Sequence, residues 1–139
     1  MLLSAGAEVD GADDYGGTPL MKASRYGHHE VVAVLIAGGA DPNAEQTHGD
    51  RALVNAAYAR SPETVELLIG AGADPNVQVG SLLWSPLGRA AVFGTTPSIE
   101  LLLAAGANPN TLNSRGESPL MLAARHGHEA ATQALLNGG

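Results

Sequence analysis

Cysteine is absent from this chain of 139 residues, which excludes disulfides and thiolate metal sites. Large side chains are scarce too: the aromatics are Tyr15, Tyr26, Tyr58, Trp84 and Phe93. Many small residues and few large ones suit thin layers packed closely, rather than one deep core. Basic residues are in deficit, 7 Lys and Arg against 14 Asp and Glu, for a net charge of −7. Nucleic-acid affinity rests largely on neutralising phosphates, so no nucleic-acid partner is expected. No charge run indicates a membrane surface or a basic partner. No apolar run approaches the ~18 residues of a membrane span, so no membrane insertion is expected. Met1-Leu2-Leu3-Ser4 lacks the charged-then-apolar layout of a signal peptide, and a cytoplasmic location is expected. Glycine-rich stretches such as Gly38-Gly39 are followed by no Gly-Lys-Ser/Thr, so none is a phosphate loop.

What the chain does have is a repeat. Gly39-Ala40-Asp41-Pro42-Asn43 recurs at Gly72–Asn76, 33 residues on, and as Gly106-Ala107-Asn108-Pro109-Asn110 after a further 34. A degenerate copy, Gly6-Ala7-Glu8-Val9-Asp10, lies 33 residues before the first. Self-similarity at this period predicts a stack of small units in which each touches only its neighbours. No single unit is large enough to enclose a pocket, so function is sought on the surface of the stack. The spacing divides the chain into a partial unit 1–12 and units 13–45, 46–78, 80–112 and 113–139, with residue 79 as an extra.

Each unit reads as turn, helix, loop, helix. Thr18-Pro19-Leu20 opens a first helix, with Thr as N-cap and Pro at the position whose N–H would be unpaired anyway. Leu20, Ala23 and Ser24 form its inward stripe, and Gly27 ends it in a left-handed conformation. A second helix over His29–Ala37 carries Val31, Val32, Leu35 and Ile36 on one face, and Gly38-Gly39 stops it. Ser85-Pro86-Leu87 and Ser118-Pro119-Leu120 open further first helices, closed by Gly94 and Gly127. Ser61-Pro62-Glu63 and Thr96-Pro97 read as caps of second helices. The fold class is therefore an all-α repeat solenoid of helix-turn-helix units joined by short hairpin-like loops.

These residues resemble the ankyrin repeat, whose pattern runs D-x-x-G-x-T-P-L, then A-A, G-H and L-L-L-x-x-G-A-D-x-N. The chain shows Asp13-Asp14-Tyr15-Gly16-Gly17-Thr18-Pro19-Leu20, Gly27-His28, Leu35-Ile36 and Gly39–Asn43. Near its end it shows Asn113–Leu120, Ala123-Ala124 and Gly127-His128. The match spans essentially the whole chain. Departures are as informative. The histidine that usually follows T-P-L is replaced by Met21, Val54, Gly88 and Met121. Arg51-Ala52 replaces Thr-Pro, and Arg60 replaces the helix-stopping Gly, so 46–78 is expected to be the least stable unit. Leu83 stands where a turn glycine belongs, next to the extra residue, so that loop is expected to be remodelled. Residues 1–12 amount to one helical turn and a loop. Val31, Val32 and the stripe around Leu35 are expected to be only partly covered, and the chain to be an excerpt of a longer array.

Two histidine clusters, His28-His29-Glu30 and His126-x-His128-Glu129, lack the convergence of three or four donors that zinc requires; the resemblance gives them a structural role at the inter-helix loop. Asp10, Asp13 and Asp14 lack the spacing of a calcium loop. No catalytic set is visible, and no cofactor or metal is expected. The resemblance implies a protein partner held on a concave face of loop tips and first helices. Carried over, that face includes Tyr15, Arg25, Tyr26, His48, Tyr58, Leu82, Trp84, Phe93, Arg115, Arg125 and His126. All five aromatics fall on it, and Trp84 is expected to be substantially exposed. The expectation is a non-catalytic protein-interaction module, monomeric or part of a longer array. The alternative is a regulatory or targeting segment of a larger enzyme or channel. The resemblance also makes Asn43, Asn76 and Asn110 candidate sites of hydroxylation.

Overall fold

The computed structural model describes residues 6–138, and contains eight helices among them. First helices are α1 (Pro19–Arg25), α3 (Ala52–Tyr58), α5 (Pro86–Phe93) and α7 (Pro119–Arg125). Second helices are α2 (His29–Ala37), α4 (Pro62–Gly70), α6 (Thr96–Ala104) and α8 (Glu129–Gly138). Each first helix packs on the next first helix and on its own partner, and the second helices pack on one another, giving two layers. The expected partial unit 1–12 falls in part on residues 1–5, outside the described residues.

Local chemistry starts the first helices. Thr18 Oγ1 accepts the N–H of Met21 at 3.3 Å, Ser85 Oγ that of Gly88 at 2.9 Å, and Ser118 Oγ that of Met121 at 3.3 Å. Proline follows the cap each time. Among the second helices Ser61 caps α4, accepting the Thr64 N–H at 3.3 Å. Thr96 is no cap: it lies inside α6, and Thr95 before it makes no side-chain bond to the helix. α3 begins at Arg51 with no side-chain cap, and Arg60 after it takes a left-handed φ of 56° in the place of a glycine.

The core is a set of equivalent columns. Leu20, Leu53 and Leu87 are fully buried under the first helices, as are Val32, Val65 and Ile99 under the second. Ala23, Ala56, Ala90 and Ala123 form a buried column in the first-helix layer, where a small side chain lets backbones approach. Fully burying each Leu or Val contributes about 1.5–3 kcal/mol. At the N-terminal end Val32 is fully buried, contrary to the sequence expectation, and Val9 packs against the core beside half-buried Leu35. Val31 is the residue of that stripe left exposed.

Side chains in the loops tie the units together. Asn43 Oδ1 accepts the Asp74 N–H at 2.8 Å while its Nδ2 donates to the Gly72 carbonyl at 2.9 Å. Asn76 repeats both bonds with Asn108 and Gly106, at 2.8 and 3.1 Å. The recurring Asn is thus a staple between units. Replacing Arg51 with Thr and Ala52 with Pro would install the missing cap and preset φ. Arg51 holds Glu45 in an ion pair, but its Nε is buried without a partner. The double variant is expected to raise stability by about 1–2 kcal/mol, read from the thermal midpoint. Hydrogen exchange in α3 is expected to be faster than in α5 and to slow in the variant; unchanged exchange would mean the cap is not what limits this unit.

Candidate functional site

Four hairpin-like fingers project beside the first helices, and three of them close alike. Asp13 N–H bonds the Gly17 carbonyl, Gln46 N–H that of Asp50, and Asn113 N–H that of Glu117. Asp13 also accepts the N–H groups of Tyr15 and Gly17, each at 2.9 Å. Lys22 beside it, with those two donors, holds the Asp13 carboxyl down from its ordinary 3.8 to about 2. Asn113 makes the equivalent bonds to Arg115 and Glu117, at 2.9 and 3.0 Å.

The third finger is built differently, as its sequence predicts. Val79 and Trp84 exchange backbone hydrogen bonds of 2.9 and 2.8 Å across a loop one residue longer. Neither Val79 nor Gly80, at the start of this finger, has a side chain that can accept a backbone N–H as Asp13 and Asn113 do. Leu83 takes the place of the glycine at a left-handed φ of 52°. This finger bonds forward, Ser114 N–H to the Leu82 carbonyl at 3.1 Å, and Gln78 Nε2 ties it to Leu112 at 2.8 Å. The first two fingers are joined by Thr47 N–H to Tyr15 at 2.9 Å. Among the described residues no backbone hydrogen bond joins the second finger to the third.

A cavity of about 260 Å³ opens at that break, lined by Arg25, His48, Asp50, Asn55, Tyr58, Trp84 and Arg89 among others. Tyr58 is its centre. The Arg25 guanidinium lies 4.8 Å from the ring centroid and Arg89 lies 5.4 Å from it. Arg89 also covers Trp84 at 4.3 Å. Phe93 meets Tyr58 edge to face at 5.6 Å, and Arg60 covers Phe93 at 5.5 Å. Cation–π contacts of this kind contribute about 0.5–2 kcal/mol each, more as water is removed. Burial pushes the Arg89 guanidinium down from its ordinary value, against the pull of Tyr58 and Asp50.

Trp84 does not stand free. It is half-buried and packs against the core, its ring 3.8 Å from where a Cβ on Gly88 would lie. The family's histidine position is here a glycine, and the indole lies down into the space. Leu82 and Phe93 are half-buried as well. Tyr15 (68% exposed) stands at the first finger tip and Tyr26 (71%) stacks on His28, neither ring paired with the central group. Arg125 is held by Glu117, His126 stacks on His128, and Arg115 lies on the last finger. The structure thus gathers Arg25, His48, Tyr58, Trp84 and Phe93, and leaves Tyr15, Tyr26, Arg115, Arg125 and His126 outside the cluster.

Arg89 and Arg60 escaped the sequence reading. Arg89 lies three residues before Val92 and four before Phe93, on the same helical face, and that spacing is the signal that could have found it. His128 Nε2 bonds the Val92 carbonyl at 2.9 Å, joining two units. No group of three possible metal ligands exists among the described residues, and no described helix is long and apolar enough to cross a membrane.

Comparison with protein families agrees with this architecture. Residues 1–79 match a family model for ankyrin repeats in three copies, and residues 89–136 match a second for ankyrin repeats in many copies. The chain belongs to the ankyrin-repeat family. The two matches leave out 80–88, the segment of this ankyrin stack that carries Leu83, Trp84 and Gly88. No curated protein matches the chain. Ankyrin repeats generally serve as protein-interaction modules.

Proposed function

We propose that this ankyrin stack is a non-catalytic protein-interaction module whose partner docks on the face made by the fingers and the first helices. The observation that carries the reading is the Tyr58–Phe93 pair ringed by Arg25, Arg60 and Arg89. Tyr and Arg dominate binding hot spots, because each offers a large contact area with a polar handle. Tyr58 is 41% exposed, which is enough ring to bury against a partner. A partner can bury only the part of each ring that still faces water, so Tyr58 offers the most and Phe93 and Trp84 less. The three rings would form the centre of an interface of roughly 800 Å² per partner rather than most of its area.

Affinity capture from the native cell, with a Tyr58→Ala, Phe93→Ala chain as control, tests the reading. The partner should be retained by the natural chain and lost by the variant, with the variant's helical circular dichroism intact. Capture of the same proteins by both chains would place recognition elsewhere.

A further inference from the structure

Of the seven basic residues, Arg115 has no ion pair among the described residues and lies apart on the last finger; the other six divide sharply. Lys22, Arg51 and Arg125 pair with Asp13, Glu45 and Glu117. Among the described residues no carboxylate pairs with Arg25, Arg60 or Arg89, and these three surround the two rings at the centre of the face. In a chain of net charge −7, acids are in excess, so three unpaired cations at one place need an explanation. Arg89 adds a second observation: its Nε is buried and has no hydrogen-bond acceptor. A buried donor left unmet is costly, and an acceptor delivered from outside would remove that cost.

We infer that the cavity between the second and third fingers receives a carboxylate side chain, Glu or Asp, from an extended segment of the partner protein. The inference rests on the protein-binding reading above. Arginine's planar fork matches a carboxylate through two parallel hydrogen bonds, and its partly buried setting strengthens them. Asp50, in the same cavity, is held back from the arginines: its oxygens accept the Arg51 N–H at 3.0 Å and Gln46 Nε2 at 3.4 Å. Its charge nevertheless bears on any incoming anion, and repels a dianionic phosphate about twice as strongly as a carboxylate. Tyr58 and Trp84 also line the cavity, so apolar carbon stands beside the arginines for the methylene stem of the acid. The missing backbone bond between these two fingers leaves the entrance open for a chain to cross.

The test is selection of random linear peptides on the full chain, followed by affinity measurements on a recovered peptide with blocked ends. Its Gln and phosphoserine versions would be measured beside it, against the natural chain, Arg89→Gln and Arg25→Gln. Recovered peptides should share a Glu or Asp. Changing that acid to Gln, or Arg89 to Gln, should each weaken binding about ten- to hundredfold, and together little more than either alone. Equal thermal midpoints show the variants folded, and Arg25→Gln serves if Arg89→Gln does not fold. Peptides without a shared acid, binding indifferent to both arginine changes, or a tighter phosphoserine version would overturn the carboxylate. If such peptides still need Tyr58 and Phe93, only this inference falls. Peptides that bind the Tyr58→Ala, Phe93→Ala chain equally well, or no peptides at all, sink the face as a protein-binding surface.

Discussion

Gly94→Ala should destabilise the stack by about 3 kcal/mol, the largest effect of any single methyl addition in this chain. Gly94 closes α5 at φ 66°, a left-handed conformation that costs an L-residue roughly 1–2 kcal/mol. Space is a second obstacle. A Cβ there would lie 2.5 Å from Cγ and Nδ1 of the His128 ring. That ring cannot swing aside freely, because its Nε2 is bonded to the Val92 carbonyl at 2.9 Å. Forcing it away adds the roughly 1–3 kcal/mol of an overpacked contact and breaks a bond between two units. Gly127 is the internal control. It has a similar φ of 72°, yet a Cβ on it meets nothing within 4 Å, so Gly127→Ala should cost the backbone amount alone. Urea unfolding of the two variants measures the difference. Equal losses would show that the His128 contact yields without strain.

Trp84→Ala is the second large effect, about 2 kcal/mol, somewhat below the 3–5 of a fully buried ring because this indole is only half-buried. The ring covers Gly88 at the start of α5 and stacks under Arg89, while the backbone pair with Val79 that closes the third finger would survive the substitution. Its loss strips α5 of cover and releases Arg89. The emission of the natural chain should accordingly lie to the blue of a fully exposed indole, and Trp84→Ala should lower the thermal midpoint. Tyr58→Ala, by contrast, removes a ring that is 41% exposed, and losing its two cation–π contacts and its edge contact with Phe93 should cost less than Trp84→Ala, about 1–1.5 kcal/mol. An unchanged midpoint in Trp84→Ala would mean the finger holds α5 without it.

Residue by residue, the helices were legible because their signals are local. A Ser or Thr cap, a Pro at the next position and a left-handed Gly at the far end act within one turn, and they recur at Thr18, Ser85 and Ser118. Repetition then reinforced each reading with the others, and both the uncapped start at Arg51 and the remodelled finger at Leu83 stood out as departures. Thr96 misled because Thr95 precedes it and local pattern alone cannot choose between adjacent threonines. The binding strip was legible only as a list of positions.

By itself the sequence determined the period, the helical unit, the family and the place of the irregular finger, since all follow from residues near one another in the chain. The tertiary structure alone decided what meets across units. Arg25, Tyr58 and Arg89 are 33 and 31 residues apart along the chain, and become one stack because successive first helices pack side by side. Trp84 is half-buried for the same kind of reason: Gly88 on the following helix leaves the space, and the indole's apolar area is better covered there than in water. The cavity beside them exists because one extra residue lengthens the third finger, and the backbone bond that joins its neighbours is not formed there.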